Sequence, residues 1–201
     1  MLFNPETMMQ ENMGKNVLSK LKKCGQNVII YPMSKIAHPE DVEIGDNTRI
    51  CDYCFIHPAG GKIIIGRYCD FEPMSQIWGV GNLVIGDFVD FGPGVTIMGQ
   101  GYDYKTCGIM VGTVEQQHKK TQYSNLTIGS HAYFGANSTI LHTVHSIGEG
   151  ALVGANTLVN KDLDPWGVYV GVPAKKIGER PKIALDQVKQ YGLQIVGNTF
   201  R

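Results

Sequence analysis

The sequence predicts an all-β solenoid, in which short strands wind into triangular turns and the turns stack as parallel sheets. Two observations carry the prediction. Apolar residues keep a six-residue beat in five groups of three: Ile44, Ile50 and Ile56; Ile65, Phe71 and Ile77; Ile85, Phe91 and Ile97; Ile128, Phe134 and Ile140; Ile147, Val153 and Val159. A glycine follows eight of these residues, as at Gly45, Gly92 and Gly154, and marks a sharp corner at a strand end. Helical faces recur about every 3.6 residues, so a beat of six excludes a helix and fits one strand and one corner per unit.

Taken in order, residues 6–24 read as a helix with Gly25 as its stop. Ile30 and Ile36 begin an incomplete coil. Complete coils then start at residues 44, 65, 85, 128 and 147, which gives about five to six coils in all. Val42, Ile63, Leu83 and Leu126, two residues before a start, extend the inward row because side chains two apart share a face. A slot four residues after the beat holds Thr48, Cys54, Cys69, Ser75, Val89, Val95, Ala132, Ser138, Ala151 and Thr157, all small enough for an inward corner. Every interruption falls after the third strand of a coil. Coil three, counted from Ile44, throws out a long loop over residues 98–125 that carries Tyr102, Asp103 and His118. Residues 181–194 form a weaker helix that starts at Pro181. The chain thus divides into an N-terminal helical cap over 1–27, a solenoid over 28–170 and a C-terminal tail and helix over 171–201. The two ends cap strand edges that would otherwise pair with other chains.

Composition narrows the function. The 201 residues suffice for one domain with its own core, and the formal net charge is zero. That balance argues against a nucleic-acid partner held by bulk electrostatics. No apolar run reaches the length of a membrane span, and residues 1–16 lack the apolar stretch of a signal peptide. Cys51 and Cys54 have the spacing of a redox or zinc half-site. The repeat places Cys54 and Cys69 in the inward slot, so core thiols in a reducing cytoplasm are the expected reading.

The repeat is followed by Val159-Asn-Lys-Asp-Leu163 and by Gly171-Val-Pro-Ala-Lys-Lys-Ile-Gly178. This combination, with the long loop, resembles the hexapeptide-repeat acyltransferases over residues 28–180, and within them the sugar O-acetyltransferases and amino-sugar N-acetyltransferases. The resemblance implies a left-handed parallel β-helix, a homotrimer, and an acetyl-CoA site in each groove between subunits. It implies acetyl transfer to a sugar hydroxyl or amine, with no metal. The pantetheine arm would run past Ala136 and Ala155, with Tyr133 beside it. Asn160, Lys161, Lys175 and Lys176 would meet the CoA phosphates. Glu72 aligns with an acceptor-contacting position.

One departure from that pattern bears on the chemistry. The galactoside and maltose enzymes carry a histidine at the loop root, five residues after the last strand position of coil three. Here that position is Tyr102, whose phenol, with an ordinary pKa of about 10, is a poor base at neutral pH. His142 and His145, at the next coil's corner, are the replacement candidates for a general base, and His118 is a loop histidine within reach. Tyr102, Asp103 and His118 are further candidates for acceptor binding. The alternative is an amine acceptor. An amine with a pKa of about 8 is already partly neutral and attacks a thioester unaided. The missing histidine therefore tilts the reading toward the amine of a nucleotide-linked amino sugar, in surface-polysaccharide biosynthesis, with a sugar hydroxyl as the alternative. A zinc enzyme on the same prism needs two histidines about five positions apart, which His142 and His145 do not offer. A non-catalytic scaffold is the remaining class.

Overall fold

In a computed structural model of the chain, residues 12–190 are described, apart from 80, 104, 107 and 112. Three parallel sheets form the walls of a prism of about seven turns. The first contains Lys23–Cys24, Val42–Ile44, Lys62–Ile65, Asn82–Ile85, Asn125–Ile128 and Ser146–Ile147. The second contains Ile29–Ile30, Arg49–Ile50, Asp70–Phe71, Asp90–Phe91, Tyr133–Phe134, Leu152–Val153 and Gly167–Val170. The third contains Lys35–Ile36, Phe55–His57, Gln76–Trp78, Thr96–Met98, Thr139–Ile140 and Leu158–Val159. Each turn visits the three sheets once, so each strand pairs with the one a full turn away. Ile44 pairs with Ile65, Phe71 with Phe91, and Ile97 with Ile140.

The beat is the core. None of its fifteen residues is more than 2% exposed, and neither are Val42, Ile63, Leu83 and Leu126. Each fully buried Ile or Phe contributes about 1.5–3 kcal/mol. Phe71, Phe91 and Phe134 stack on the axis, with ring centroids 4.5 and 4.9 Å apart. The small-residue slot is equally buried. Burial pushes the Cys54 and Cys69 thiols up to about 12, so both are inert core groups.

The corners explain why asparagine, glycine and aromatic residues recur at fixed places. At corner one, between the first and second sheets, Asn47, Tyr68, Phe88, His131, Gly150 and Trp166 all have φ between +54° and +66°. That left-handed conformation points each amide down the axis. Tyr68 N–H donates to Asp46 O (2.9 Å), Phe88 to Arg67 (2.9 Å), His131 to Asp87 (2.9 Å) and Trp166 to Glu149 (2.7 Å). The hydrogen bond offsets a conformational cost of about 1 kcal/mol per non-glycine residue. Side chains are stacked as a consequence. Tyr68 and Phe88 lie 4.9 Å apart and Phe88 and His131 5.1 Å apart, both nearly parallel. Corner two, between the second and third sheets, repeats the device with Tyr53, Met74, Gly94, Asn137 and Asn156.

Three expectations change. The solenoid has about seven turns rather than five to six. The first turn is complete because Lys23–Cys24 supplies its first side, a strand invisible to an apolar beat. A last turn is closed by Leu163, bridged to Ile147, and by Gly167–Val170. The helix expected over 6–24 is, in its described part, a 3-10 helix at Gly14–Lys20, and its last residues are strand instead. Lys22 N–H bonds to Pro39 O and Val42 O, so the open edge of the sheet outcompetes helical pairing. Residues 6–11 lie outside the described residues. The C-terminal helix is Ile183–Gln190, and 191–194 again lie outside the description.

All the insertions do leave from corner three, between the third and first sheets. The long loop is anchored by an antiparallel hairpin of Gln100–Tyr102 with Thr121–Tyr123. Beyond the last turn, Gly167–Val170 folds back on Lys175–Glu179 as an exposed antiparallel arm. Arg180 pins the end of that arm, with Nη1 donating to His131 O at 2.6 Å and the guanidinium 5.9 Å from the Trp166 ring. No helix among the described residues is long and apolar enough to cross a membrane.

Candidate active site

The expected site residues fall into two groups on different corners. Glu72, Tyr133, Ala136 and Ala155 share corner two and the second sheet. Glu72, Gly92, Gly135 and Gly154 form one column, each amide hydrogen-bonded to the turn above. A Cβ on Gly135 would come within 2.5 Å of Ala155 N, so only glycine permits this spacing. Ala136 and Ala155 come next along the corner. Ala136 is half-buried and Ala155 exposed, and among the described residues their amides donate to no acceptor. Two outward donors on a wall without bulky side chains fit an extended amide-bearing chain such as pantetheine.

On the second sheet below Tyr133, leading into this wall, lies a carboxylate cluster. Register stacks Arg49 on Asp70, Asp70 on Asp90 and Asp90 on Tyr133 along the second sheet. Arg49 clasps Asp70, with Nε donating to Oδ1 at 2.9 Å, and reaches Glu72 Oε1 at 3.0 Å. The one guanidinium is thereby divided between Asp70 and Glu72. Asp90 has no ion pair or side-chain hydrogen bond among the described residues. Burial, then the charges of Asp70 and Glu72, hold its carboxyl above the ordinary range, and Arg49 offsets this only in part. A carboxylate with raised proton affinity is better suited to receive a proton than an ordinary one.

The second group gathers at corner three. His142 is half-buried in the corner after Thr139–Ile140. Its ring packs on the hairpin at the loop root, where a Cβ on Gly101 would strike it. Tyr102 is the next residue of that hairpin. Asn160 O accepts from Thr143 Oγ1 at 2.9 Å, and Lys161 is exposed beside it. His145 lies two residues before the coil start at Ile147, the place that Val42, Ile63, Leu83 and Leu126 fill with inward side chains in other coils, yet it does not point inward. The extra residue of this coil puts Val144 inside at 0% exposure and turns His145 out to solvent, where Nδ1 lies 3.3 Å from Asn125 O.

Other expected residues are occupied or remote. Asp103 holds its own loop turn, accepting from Lys105 N (3.0 Å) and Thr106 Oγ1 (2.9 Å). His118 lies in an exposed 3-10 turn, 3.9 Å from Glu115. Lys175 and Lys176 ride on the exposed arm, with Lys176 between Asp164 (3.5 Å) and Glu179 (3.4 Å). Within one copy, corner two and corner three stand at opposite edges of the third sheet.

Sequence reading missed Asp70, Asp90 and Arg49. Their signal was present: an aspartate one residue before the phenylalanine in two successive coils, preceded by an arginine in the same place. A groove of about 640 Å³ lies elsewhere, on the outer face of the first sheet, lined by Ile64, Val84 and Thr127 and by the Arg67–Asp87 ion pair. None of the expected site residues lines it. Among the described residues no group of three or more His, Cys, Asp or Glu side chains is arranged to hold a metal ion.

Comparison with known proteins adds an independent line. No family model matches the chain. Over 179 residues it is 29% identical to a dTDP-4-amino-4,6-dideoxy-D-glucose acyltransferase of Escherichia coli, covering 89% of this chain and 93% of that protein. It is 27% identical over 158 residues to the bifunctional protein GlmU of Thermotoga petrophila, but spans only 35% of that protein's length. The crystal structure of a variant of AntD, an N-acyltransferase from Bacillus cereus, superposes with a TM-score of 0.81 at 28% identity, covering 90% of this chain and 97% of that one. That crystal contains dTDP-4-amino-4,6-dideoxyglucose and coenzyme A.

Proposed function

We propose that this chain, a hexapeptide-repeat acyltransferase by its repeat, its fold and its relatives, transfers an acetyl group from acetyl-CoA to the amine of a nucleotide-linked amino sugar. The observation that carries the reading is the unpaired Asp90 carboxylate, one turn below Tyr133, on the sheet that leads into the corner of open amide donors. The wall of Gly135, Ala136, Gly154 and Ala155 takes the pantetheine arm, and Tyr133 flanks it. Asn160, Lys161, Lys175 and Lys176 provide polar and cationic contacts for the phosphates. Asp70, Glu72 and Asp90 attract the acceptor's ammonium form and hold it at the mouth of the arm site.

The chemistry follows. Asp90 takes a proton from the acceptor ammonium, which frees the nitrogen lone pair. The nitrogen attacks the thioester carbonyl, the C–N bond forms, the nitrogen gives up its second proton, the C–S bond breaks, and the leaving thiolate takes up that proton to become the CoA thiol. Backbone amides of the wall are the available donors to the developing oxyanion. Tyr102 is not required as a base, which accounts for the absence of the loop-root histidine. His142 lies at the other edge of the third sheet. The proposed assembly is a homotrimer in which corner three of one copy, with His142, His145 and the loop, would meet the corner-two wall of the next. The reading places the protein in the cytoplasm, where acetyl-CoA and nucleotide sugars are made, on a route to surface polysaccharide.

The test is release of CoA thiol from acetyl-CoA with dTDP-linked amino sugars, matched hydroxy sugars and simple galactosides as acceptors. Turnover confined to the amines supports the proposal. Turnover on hydroxyls alone refutes it and makes His142 the first substitute base to examine. Absence of both turnover and CoA binding moves the protein to the scaffold class.

A further inference from the structure

The outer face of the third sheet carries an aromatic cluster that the acyl-transfer chemistry leaves unused. Phe55 and His57 lie 5.8 Å apart and nearly parallel, at 9°. Trp78 stands edgewise to both, 4.9 Å from Phe55 and 5.9 Å from His57. His38 lies 5.8 Å from His57, and the Lys35 ammonium 5.9 Å from the Phe55 ring. Trp78 remains 38% exposed, although its indole N–H is already donated to Gln76 Oε1 at 3.0 Å. What it offers to solvent is therefore an apolar face without a polar demand. Nδ1 of His57 is buried with no partner among the described residues, so this ring is held by its aromatic neighbours.

We infer that Trp78, held by Phe55 and His57, is the stacking platform for the pyrimidine base of the nucleotide-sugar acceptor. The inference rests on the acceptor class proposed above. Three arguments carry it. An indole wedged by two rings loses little freedom when a planar ligand stacks on it. The cluster is the size of one base rather than of a protein interface, and its rim of Lys35, His38 and His57 is polar. Register also places it on the path to the chemistry. Trp78 pairs with Met98, and Leu141 follows Ile140, which pairs with Ile97. Leu141 is thus two strand steps above Trp78, about 10 Å, and His142 follows it at the corner. A ribose and a diphosphate can span that distance, with the sugar arriving at corner three, where the proposed homotrimer would bring the carboxylates of the neighbouring copy.

The experiment uses dTDP as the probe and the full chain. The protein has two tryptophans, and Trp166 is only 5% exposed, so Trp166→Phe leaves Trp78 as the reporter. Saturable quenching of its emission by dTDP is expected. Calorimetry on Trp78→Ala, in the otherwise native chain, is expected to show dTDP binding weakened about tenfold or more. Trp78→Phe should restore much of it. Unchanged dTDP affinity in Trp78→Ala overturns the inference. So does quenching by CoA but not by dTDP, which would assign the platform to the other substrate. A changed oligomeric mass with unaltered dTDP affinity also overturns it, as Trp78 would then be a subunit contact. Binding is read without acyl transfer. A native protein that binds dTDP through Trp78 but acetylates no amino sugar refutes the acceptor proposal alone.

Discussion

Replacing Phe91 with leucine removes two ring stacks at once, whereas the same change at Phe71 or Phe134 removes one. Phe91 is 1% exposed and lies between Phe71 at 4.5 Å and Phe134 at 4.9 Å. A stacked aromatic pair contributes about 0.5–1.5 kcal/mol beyond its buried area. Leucine refills most of the volume, so the remaining packing loss is similar at the three positions. Phe91→Leu should therefore cost about 1 kcal/mol more than either neighbour's variant. With a urea slope of about 2 kcal/mol/M, its midpoint should lie roughly 0.5 M lower. Phe91→Ala should cost about 5 kcal/mol, the upper end for a buried phenylalanine, because both partners lose a contact surface. Urea unfolding followed by circular dichroism on the three leucine variants decides the point. Equal midpoints would refute the reasoning, and the ring column would then be a by-product of the repeat with no energy of its own.

Four further outcomes are expected. Asp90→Asn should lower kcat by about a hundredfold or more and remove the acid limb of the pH–rate profile. Because the Asp90 carboxyl is held above its ordinary range in the folded state, its contribution to stability is present at low pH and lost as pH rises through the raised value. Asp90→Asn should therefore gain stability relative to the parent between acid and neutral pH, as thermal unfolding across pH will read. His142→Ala should lower kcat less than about tenfold on an amine acceptor; a loss of about a hundredfold would make His142 the base. Ala136→Leu should raise the KM for acetyl-CoA about tenfold while leaving the unfolding temperature nearly unchanged, since Ala136 faces the wall and not the core. Arg180→Ala should cost about 1–2 kcal/mol by removing the bond to His131 O and the contact with Trp166, and should speed hydrogen exchange in Lys175–Glu179.

The six-residue beat determined the solenoid, the identity of its core and the corner that carries every insertion, because a periodic strand-and-corner pattern buries one row of side chains in only one way. The same beat hid Lys23–Cys24, a strand without an apolar residue of the beat, which pairs with Val42–Ile44 through its backbone. It also misassigned His145, because a single extra residue at that corner reversed which neighbour faces inward. The wall proposed for the pantetheine arm was legible as small residues after glycines. The carboxylate cluster was not, because Arg49, Asp70 and Asp90 are about twenty residues apart in the chain and meet only through the stacking of whole turns. Apart from the corner at His145, sequence determined which side chains point out of the prism. Tertiary structure decided which outward groups share a field: one guanidinium serves two carboxylates, and the third, left without a partner, is the one whose proton affinity rises.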